Sequence, residues 1–291
     1  MCHVKVPPVP PVSPVRPVRD LIYDVGLCHG EDTSLYLALG YRVVAFEASA
    51  EHCSNARERF ADDLATRRLT IVEGAIAESN RETVTFYLHP INDEWGTTDR
   101  NWAERNKIYG ESRPVTVPAI HIEEWMRKTG VPYFMKVDIE GADFLCFEAL
   151  KAFEERPYYV SLESNKTDWK ELTEEFKLLE SLGYDSFAVV QQQALRKTST
   201  RRLTSQSGES IVCHLEPRSS GSFGADVGPW ESAEVAIARY QKIFRRYRTL
   251  GDSSFMNRHR LTRKILGPIE SISPYPLPGW YDTHARHRSA D

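Results

Sequence analysis

The chain has 291 residues, of which 41% are hydrophobic and 27% charged, and its formal net charge is −4. These values are typical of a globular protein that can bury a full core in one or two domains. No apolar run approaches the roughly 20 residues that cross a bilayer, and we see no secretory signal, so we expect no membrane contact and a cytoplasmic location.

The five cysteines are Cys2, Cys28, Cys53, Cys146 and Cys213. Their number is odd and they are widely scattered, without the paired spacing that is typical of zinc ligands or of a disulfide framework. We therefore interpret all five as reduced thiols.

Residues 1–18 alternate prolines with valines, a composition that favours an extended polyproline conformation. We expect a flexible arm there. The first predicted strand, residues 21–25, then runs into a turn bounded by Gly26 and Gly30, and a helix follows over residues 31–40. The two glycines allow a tight turn and close approach of the backbone to a ligand, and amides at the helix start can bind polar groups.

The second predicted strand, residues 42–46, ends in Glu47. An acidic residue about 20 positions after a glycine turn, at the tip of the second strand, can accept hydrogen bonds from both hydroxyls of a ribose. This arrangement indicates a cofactor that contains adenosine.

The glycine spacing and one carboxylate distinguish between such cofactors. Cys28 occupies the position of the second glycine in a dinucleotide fingerprint, where the backbone would approach a pyrophosphate. Asp24 precedes the first glycine, where it would repel phosphate but suit an amine and a sulfonium. S-adenosylmethionine (SAM) therefore fits better than NAD. Two alternatives stay open, an NAD-dependent oxidoreductase and a non-catalytic nucleotide-binding scaffold.

Strands and helices continue to alternate, which predicts a parallel sheet with helices on both faces. The later predicted strands are residues 69–72, 83–88, 115–117, 133–137, 158–162 and 185–190, with helices at 49–60, 120–128, 142–152 and 167–182, and a surface loop at 89–113. Ligands of such sheets bind beyond the carboxyl ends of the strands. Asp24, Glu47, Asp138 and Glu163 all lie at such ends, so we expect them to face one crevice.

The pattern becomes irregular after residue 193, with a predicted strand at 211–214 and a helix at 231–247. Residues 195–291 contain 16 lysines and arginines against 9 carboxylates, a charge of +7, whereas the preceding part carries −11. Such charge usually covers a solvated face, and an anionic or glycosylated small-molecule substrate is the alternative. We expect no nucleic-acid binding, because no recognisable reading motif or aromatic stacking pattern accompanies the basic residues.

Three motifs together resemble the FkbM-type family of SAM-dependent methyltransferases. They are Asp24-Val25-Gly26 with Gly30, the strand end Phe46-Glu47, and above all the run from Lys136 to Asp143 (KVDIEGAD). The resemblance covers about residues 20–190 and implies an α/β class I methyltransferase (Rossmann-like) sheet of seven strands, the last antiparallel to the others. It also implies methylation of hydroxyl oxygens on secondary metabolites or sugars. The family usually has asparagine where this chain has Cys28-His29.

The resemblance implies roles for individual residues. Asp24, Gly26 and Gly30 would contact the methionine part of SAM and form the loop around it. Glu47 would bind the ribose, Ala75 would lie at the adenine, and Asp138 would lie beside the sulfonium and the methyl acceptor. We accordingly predict a methyltransferase domain over residues 19–215 and a C-terminal extension over residues 216–291 that caps the substrate side.

Methylation of an alcohol requires alignment of two reactants and removal of a proton. Asp138 is the first candidate base, although it could equally bind the cofactor or a metal. His29 and His284 are further candidates, since an imidazole titrates near neutral pH. Glu140 and Glu163 could join Asp138 around a divalent cation. The sequence leaves open the acceptor atom, oxygen or nitrogen, the metal requirement and the oligomeric state.

Overall fold

A computed structural model describes residues 16–107, 109–139, 141–164, 168–192, 200–250 and 281–290. Its strands are β1 (Val18–Val25), β2 (Arg42–Glu47), β3 (Leu69–Glu73), β4 (Ala75–Ile76), β5 (Thr83–Leu88), β6 (Arg113–Ile120), β7 (Pro132–Val137), β8 (Tyr159–Glu163), β9 (Tyr184–Gln191), β10 (Thr200–Thr204), β11 (Ser210–His214) and β12 (Tyr281–His287). Its helices are α1 (Glu31–Ala38), α2 (Ala50–Arg59), α3 (Ala61–Ala65), α4 (Arg100–Asn106), α5 (Ile122–Thr129), α6 (Asp143–Ala149), α7 (Trp169–Ser181) and α8 (Ala233–Leu250). None of these helices is long and apolar enough to cross a bilayer.

Seven strands form the main sheet, in the order β3-β2-β1-β7-β8-β12-β9. The neighbours from β3 to β8 are parallel, and β12 runs antiparallel to both β8 and β9. This order, with its single antiparallel strand, confirms the predicted class I methyltransferase architecture.

The central strands are apolar on both sides because a hydrophobic core covers each face of the sheet. Tyr23 of β1 and Met135 of β7 belong to one core, and their neighbours Ile22 and Phe134 belong to the other. All four are at most 1% exposed. The alternation of side chains along each strand thus fixes the sheet between two layers of helices.

The end of the chain completes the sheet, because Thr283 of β12 pairs with Leu162 on one side and with Val189 on the other. In α8, Ala236 and Tyr240 are fully buried in one of the cores. Part of the predicted C-terminal extension therefore belongs to the sheet and core of the methyltransferase domain, and its role as a cap on the substrate side stays a prediction.

Two smaller predictions also change. The predicted surface loop at 89–113 contains a 3-10 turn (Asp93–Trp95) and the helix α4, and β6 beyond it pairs with β5 and β4 in a small second sheet. Residues 1–15 of the predicted arm lie outside the described residues, and Val18 already belongs to β1, where it pairs with Pro132.

Candidate active site

A cleft opens at the carboxyl ends of β1, β2 and β7, with an empty volume of about 540 Å³ that includes the space at its mouth. The cleft is lined by Gly26, Cys28, Phe46, Glu47, Ala48, His52, Gly74, Ala75, Ile76, Phe86, Asp93, Glu94, Gly96, Thr98, Asp138, Ile139 and Ala142.

The walls of the cleft combine carboxylates with apolar surface. Glu47, Asp93, Glu94 and Asp138 line it, and none of its described lining residues is a lysine or an arginine. Asp138 and Glu94 have the basic neighbours Lys136 and Arg218, which do not line the cleft. The carboxylates on the wall itself favour a cationic ligand. Aromatic and aliphatic side chains supply the rest of the wall, which suits a flat, weakly polar ring.

The two glycines of the first turn serve different purposes. Gly26 has φ +99°, and a Cβ there would lie 2.0 Å from the carbonyl oxygen of Asp138, so only glycine allows the turn to pack against the end of β7. Gly30 has φ +85° and begins α1, where a Cβ would lie 2.7 Å from the ring of Phe60. Gly26 therefore lines the cleft, whereas Gly30 is held against α2 and does not.

Glu47 joins two loops at the cleft. Its Oε2 accepts a hydrogen bond from the backbone N–H of Cys28 (2.8 Å), and its Oε1 accepts one from the backbone N–H of Ser49 (2.8 Å). Each carboxylate oxygen has a second lone pair, so both can accept a further hydrogen bond from a ligand. The predicted ribose-binding residue thus lies on the cleft wall in a fixed orientation.

Asp24 is 1% exposed and does not line the cleft. Its Oδ2 accepts a hydrogen bond from Thr33 Oγ1 (2.6 Å), and its Oδ1 lies 3.7 Å from Lys136 Nζ. Burial raises the pKa of Asp24 to about 6, although Lys136 acts in the opposite direction. Asp24 Oδ1 makes no hydrogen bond among the described residues, and the contact of this carboxylate with the methionine part of SAM stays a prediction.

Lys136 is the residue that sequence reasoning missed. Its Nζ lies 3.3 Å from Asp32 Oδ2 and 3.5 Å from Asp138 Oδ2, so three carboxylates surround one buried ammonium. Burial acts against the charged ammonium, but the carboxylates outweigh it and the pKa of Lys136 is raised. A lysine within the apolar strand 133–137 was the available signal, because such a charge is buried only with partners.

Asp32 connects this group to the later part of the chain, since its Oδ1 accepts hydrogen bonds from Ser219 Oγ and from the backbone N–H of Ser220 (both 2.8 Å). We call Asp24, Asp32 and Lys136 the buried ionic cluster.

Asp138 ends β7 with its side chain 43% exposed, on the wall of the cleft. Glu163 ends β8, where it pairs in register with Asp282 of β12. Burial, together with Asp138 and Glu163, raises the pKa of Asp282. Asp282 is a further missed acid. Glu140 lies outside the described residues, and Asp138 and Glu163 do not belong to any group of three metal-ligating side chains among those described.

The two candidate histidines lie in different places. His284 is 2% exposed on β12 and does not line the cleft, and burial lowers its pKa to about 4, so it is neutral at neutral pH. His29 lies beside the cleft residue Cys28, with its Nε2 3.2 Å from Oδ2 of Asp93. Of the predicted cofactor contacts, the structure brings together Gly26, Glu47, Ala75 and Asp138.

The sequence profile of the methyltransferase FkbM domain matches residues 24–186, which is more than half of the chain. The chain belongs to this family. Membership confirms the resemblance to the FkbM-type methyltransferases, whose cofactor is SAM. The match begins at the strand end of Asp24 and stops within β9, so the last strand of the sheet lies beyond it.

Solved structures of related fold are distant in sequence. The methyltransferase FkbM from Methylobacillus flagellatus KT is 17% identical with a TM-score of 0.38, and the match covers 59% of this chain and 40% of that one. A precorrin-6y C5,15-methyltransferase from Geobacter metallireducens GS-15 is 14% identical with a TM-score of 0.33, over 67% and 74%. The chain thus spans less than half the length of the first of these structures. Among curated proteins, no sequence matches the chain significantly.

Proposed function

We propose that the protein transfers a methyl group from SAM to a hydroxyl oxygen of a small molecule. The observation that carries this proposal is the cleft at the carboxyl ends of β1, β2 and β7, where carboxylates and apolar side chains line the wall and no lysine or arginine is among the described lining residues. A negative wall suits the sulfonium and the amine of SAM, whereas it would repel a pyrophosphate.

The residues on the wall fit the parts of SAM. Glu47 can accept hydrogen bonds from the ribose hydroxyls, and Ala75 lies beside Ile76 and Phe86 as an apolar surface for the adenine. Gly26 lets the backbone approach the ligand closely. When bound, SAM supplies a methyl group that its positive sulfur already activates.

The remaining task of the protein is to align the acceptor and to remove its proton. Asp138 is exposed to the cleft at the end of a central strand, and Lys136 Nζ lies 3.5 Å from its Oδ2. We assign Asp138 as the general base, which takes the proton of the acceptor hydroxyl on a carboxylate oxygen. Lys136, which is buried two residues earlier on the same strand, orients that carboxylate.

The part of the chain after residue 215 supplies the substrate side in this proposal. Arg218 Nε lies 3.3 Å from Oε1 of the cleft residue Glu94, and Arg59 forms an ion pair with Glu216. These contacts bring the segment around Arg218 to the rim of the cleft. An acceptor with an anionic group or a sugar would meet that rim.

Replacement of Asp138 by asparagine tests the assignment. A general base contributes about 10²–10⁴-fold to the rate, so we expect D138N to lose that much of kcat while calorimetry shows SAM binding within a few-fold of the wild type. Glu94→Gln is the matched control, since it removes another carboxylate of the same wall. The assay uses labelled SAM with panels of hydroxyl and amine acceptors.

Three outcomes would contradict different parts of the proposal. Loss of SAM binding in D138N with unchanged kcat would make Asp138 a cofactor ligand instead of a base. Transfer only to amines would replace the hydroxyl acceptor by a nitrogen. No binding of SAM by the wild type, or binding of NAD in its place, would overturn the proposed function as a whole.

A further inference from the structure

Four side chains with metal-binding atoms meet at one side of the cleft. Cys28 and His29 come from the turn between β1 and α1, His52 from the first turn of α2, and Asp93 from the 3-10 turn in the stretch after β5. The ligand atoms of Cys28, His29 and His52 all lie within 4.8 Å of one another. We call these four residues the thiol–imidazole cluster.

The distances within the cluster resemble those around a tetrahedral metal. Asp93 Oδ2 lies 3.2 Å from His29 Nε2 and 3.3 Å from His52 Nε2. Zinc bonds to nitrogen and oxygen of about 2.0–2.1 Å at tetrahedral angles place such ligand atoms about 3.3–3.4 Å apart. The thiol has to move inward to reach bonding distance, because a Zn–S bond of about 2.3 Å separates sulfur from nitrogen by roughly 3.6 Å.

The hydrogen bonds of the cluster leave one imidazole unsatisfied. Nε2 of His29 is buried and makes no hydrogen bond, although Asp93 Oδ2 is 3.2 Å away, because the contact lacks hydrogen-bond alignment. His52 Nε2 also meets the same Oδ2. Two imidazole nitrogens converge on one carboxylate oxygen, and the Cys28 sulfur lies within 4.8 Å of a nitrogen of each ring. A shared cation satisfies these groups better than they satisfy one another.

Glu47 contacts two members of the cluster, His52 and Cys28. Its Oε1 lies 3.8 Å from Nδ1 of His52, and its Oε2 accepts the backbone N–H of Cys28. A carboxylate on the far nitrogen of a metal-binding histidine is the usual outer partner, which fixes the ring and makes it a stronger ligand. Cys28 itself has φ +50°, an uncommon conformation for a residue with a side chain.

We propose that Cys28, His29, His52 and Asp93 bind one Zn²⁺ at the edge of the cofactor cleft. A thiolate with two imidazoles and one carboxylate suits zinc or cobalt, whereas magnesium and calcium prefer oxygen ligands alone. Binding replaces the S–H bond of Cys28 by an S–Zn bond, and the proton passes to solvent. The other three ligands bind through lone pairs, and the hydrogen bond between His52 and Asp93 is replaced by their bonds to the metal.

The metal would join three segments that surround the cleft, namely the glycine turn, the start of α2 and the stretch that contains Asp93. It would thereby hold that stretch over the cofactor. This second consequence rests on the proposed function, because it concerns SAM, whereas the metal site itself does not.

The test uses full-length protein prepared without a polyhistidine tag, stripped of metal and titrated with Co²⁺ and then Zn²⁺. We expect one Co²⁺ per chain with visible bands of a tetrahedral ion and an ultraviolet thiolate band, all removed by one equivalent of Zn²⁺. Cys28→Ser should lose the thiolate band and at least 10-fold in zinc affinity. Asp93→Asn, whose side chain is largely exposed, should keep the thiolate band while binding weakens.

Cys53→Ser and His214→Ala are the matched controls, because Cys53 is a buried thiol of α2 outside the cluster and His214 is exposed on β11. Both should bind Co²⁺ as the wild type does. A wild-type protein without a thiolate band would overturn the proposal, and so would a band that survives in C28S. Circular dichroism shows that each variant is folded, and calorimetry with SAM is run separately on the metal-free wild type, so a failure of the zinc site is distinguished from a failure of the proposed function.

Discussion

Two groups of acidic side chains lie at the same edge of the sheet and differ in whether they line the cleft. In the buried ionic cluster, Asp24 and Asp32 are at most 6% exposed and share Lys136 as their cation. On the cleft wall, Glu47 and Asp138 face a cavity, and Glu47 is held by backbone amides. The first group stabilises the junction of β1, β7 and α1, and the second is available to a ligand.

The comparison teaches that the position of an acid at the end of a strand does not determine its role. Asp24 and Glu47 both lie at the ends of parallel strands, so the sequence pattern predicts that both face the ligand. Position relative to the cleft makes the difference, since Asp24 is buried against Thr33 and Lys136, whereas Glu47 lines the cleft.

The largest expected effect comes from removing the shared cation. Lys136→Met leaves Asp24 and Asp32 buried without a counter-ion, which typically costs about 3–5 kcal/mol in the free energy of unfolding. Urea denaturation at neutral pH measures it. Lys170→Met is the control, because Lys170 is 83% exposed and pairs with Glu174 along its own helix. A loss in K136M no larger than in K170M would show that the two groups of acids are not physically distinct.

Much of the fold could be predicted from the sequence because its core strands carry a strong signal. Strands β1, β2 and β7 are continuous apolar runs followed by turn residues, and each was predicted within a few residues of its bounds. Strand β12 was not, because Asp282, Thr283 and His284 are buried polar residues. The partners of Thr283 are Ser164 and Tyr240, and that of Asp282 is Gln192, all distant in sequence. No local pattern encodes such partners.

The candidate site divides in the same way. Gly26, Glu47 and Asp138 were predicted because the geometry of a parallel sheet places them at its edge. The thiol–imidazole cluster was missed, since its ligands come from separate segments and cysteine spacing alone argued against zinc. Proximity of that kind is decided by the long stretch between β5 and β6, whose path the sequence did not predict.

A second prediction concerns the pH dependence of the buried ionic cluster. The pKa of Asp24 is raised from 3.8 to about 6 in the folded protein, so the folded protein holds this proton more tightly than the unfolded chain does. The stability from Asp24 is fully present below about pH 4 and is lost as the pH rises through about 6. Between these values, we expect the free energy of unfolding of the wild type to fall relative to Asp24→Asn, by at most about 3 kcal/mol.

Denaturation at a series of pH values measures this difference, with Asp20→Asn as the control on the same strand. Asp20 is paired with Arg42, which lowers the pKa of its carboxyl, so its contribution has the opposite sign and is lost as the pH falls. The difference in free energy of unfolding between the wild type and D24N could also stay constant from pH 4 to 6. In that case the pKa of Asp24 is not raised in the folded protein, and this contrast with Glu47 is wrong.

The smallest effect, and the sharpest comparison with Asp24, concerns Glu47. Glu47→Gln removes a charged acceptor from the ribose, which typically costs about 1.5–3 kcal/mol, or roughly 10–100-fold in SAM affinity. Because Gln also loses one of the two backbone contacts, affinity alone does not identify the cause. Calorimetry should therefore compare S-adenosylhomocysteine with its 2′,3′-dideoxy analogue in both proteins.

If Glu47 binds the ribose, loss of the two hydroxyls weakens binding to the wild type but has little further effect in E47Q, because the interaction is already absent. If Glu47 only joins the two loops, loss of the two hydroxyls weakens binding equally in both proteins. The carboxylate then has a structural role, as Asp24 does. Glu73→Gln is the control, since Glu73 ends the neighbouring strand, pairs with Arg57 and does not line the cleft. Glu47 is a ligand-binding residue only if the effect of removing the hydroxyls is reduced in E47Q and unchanged in E73Q.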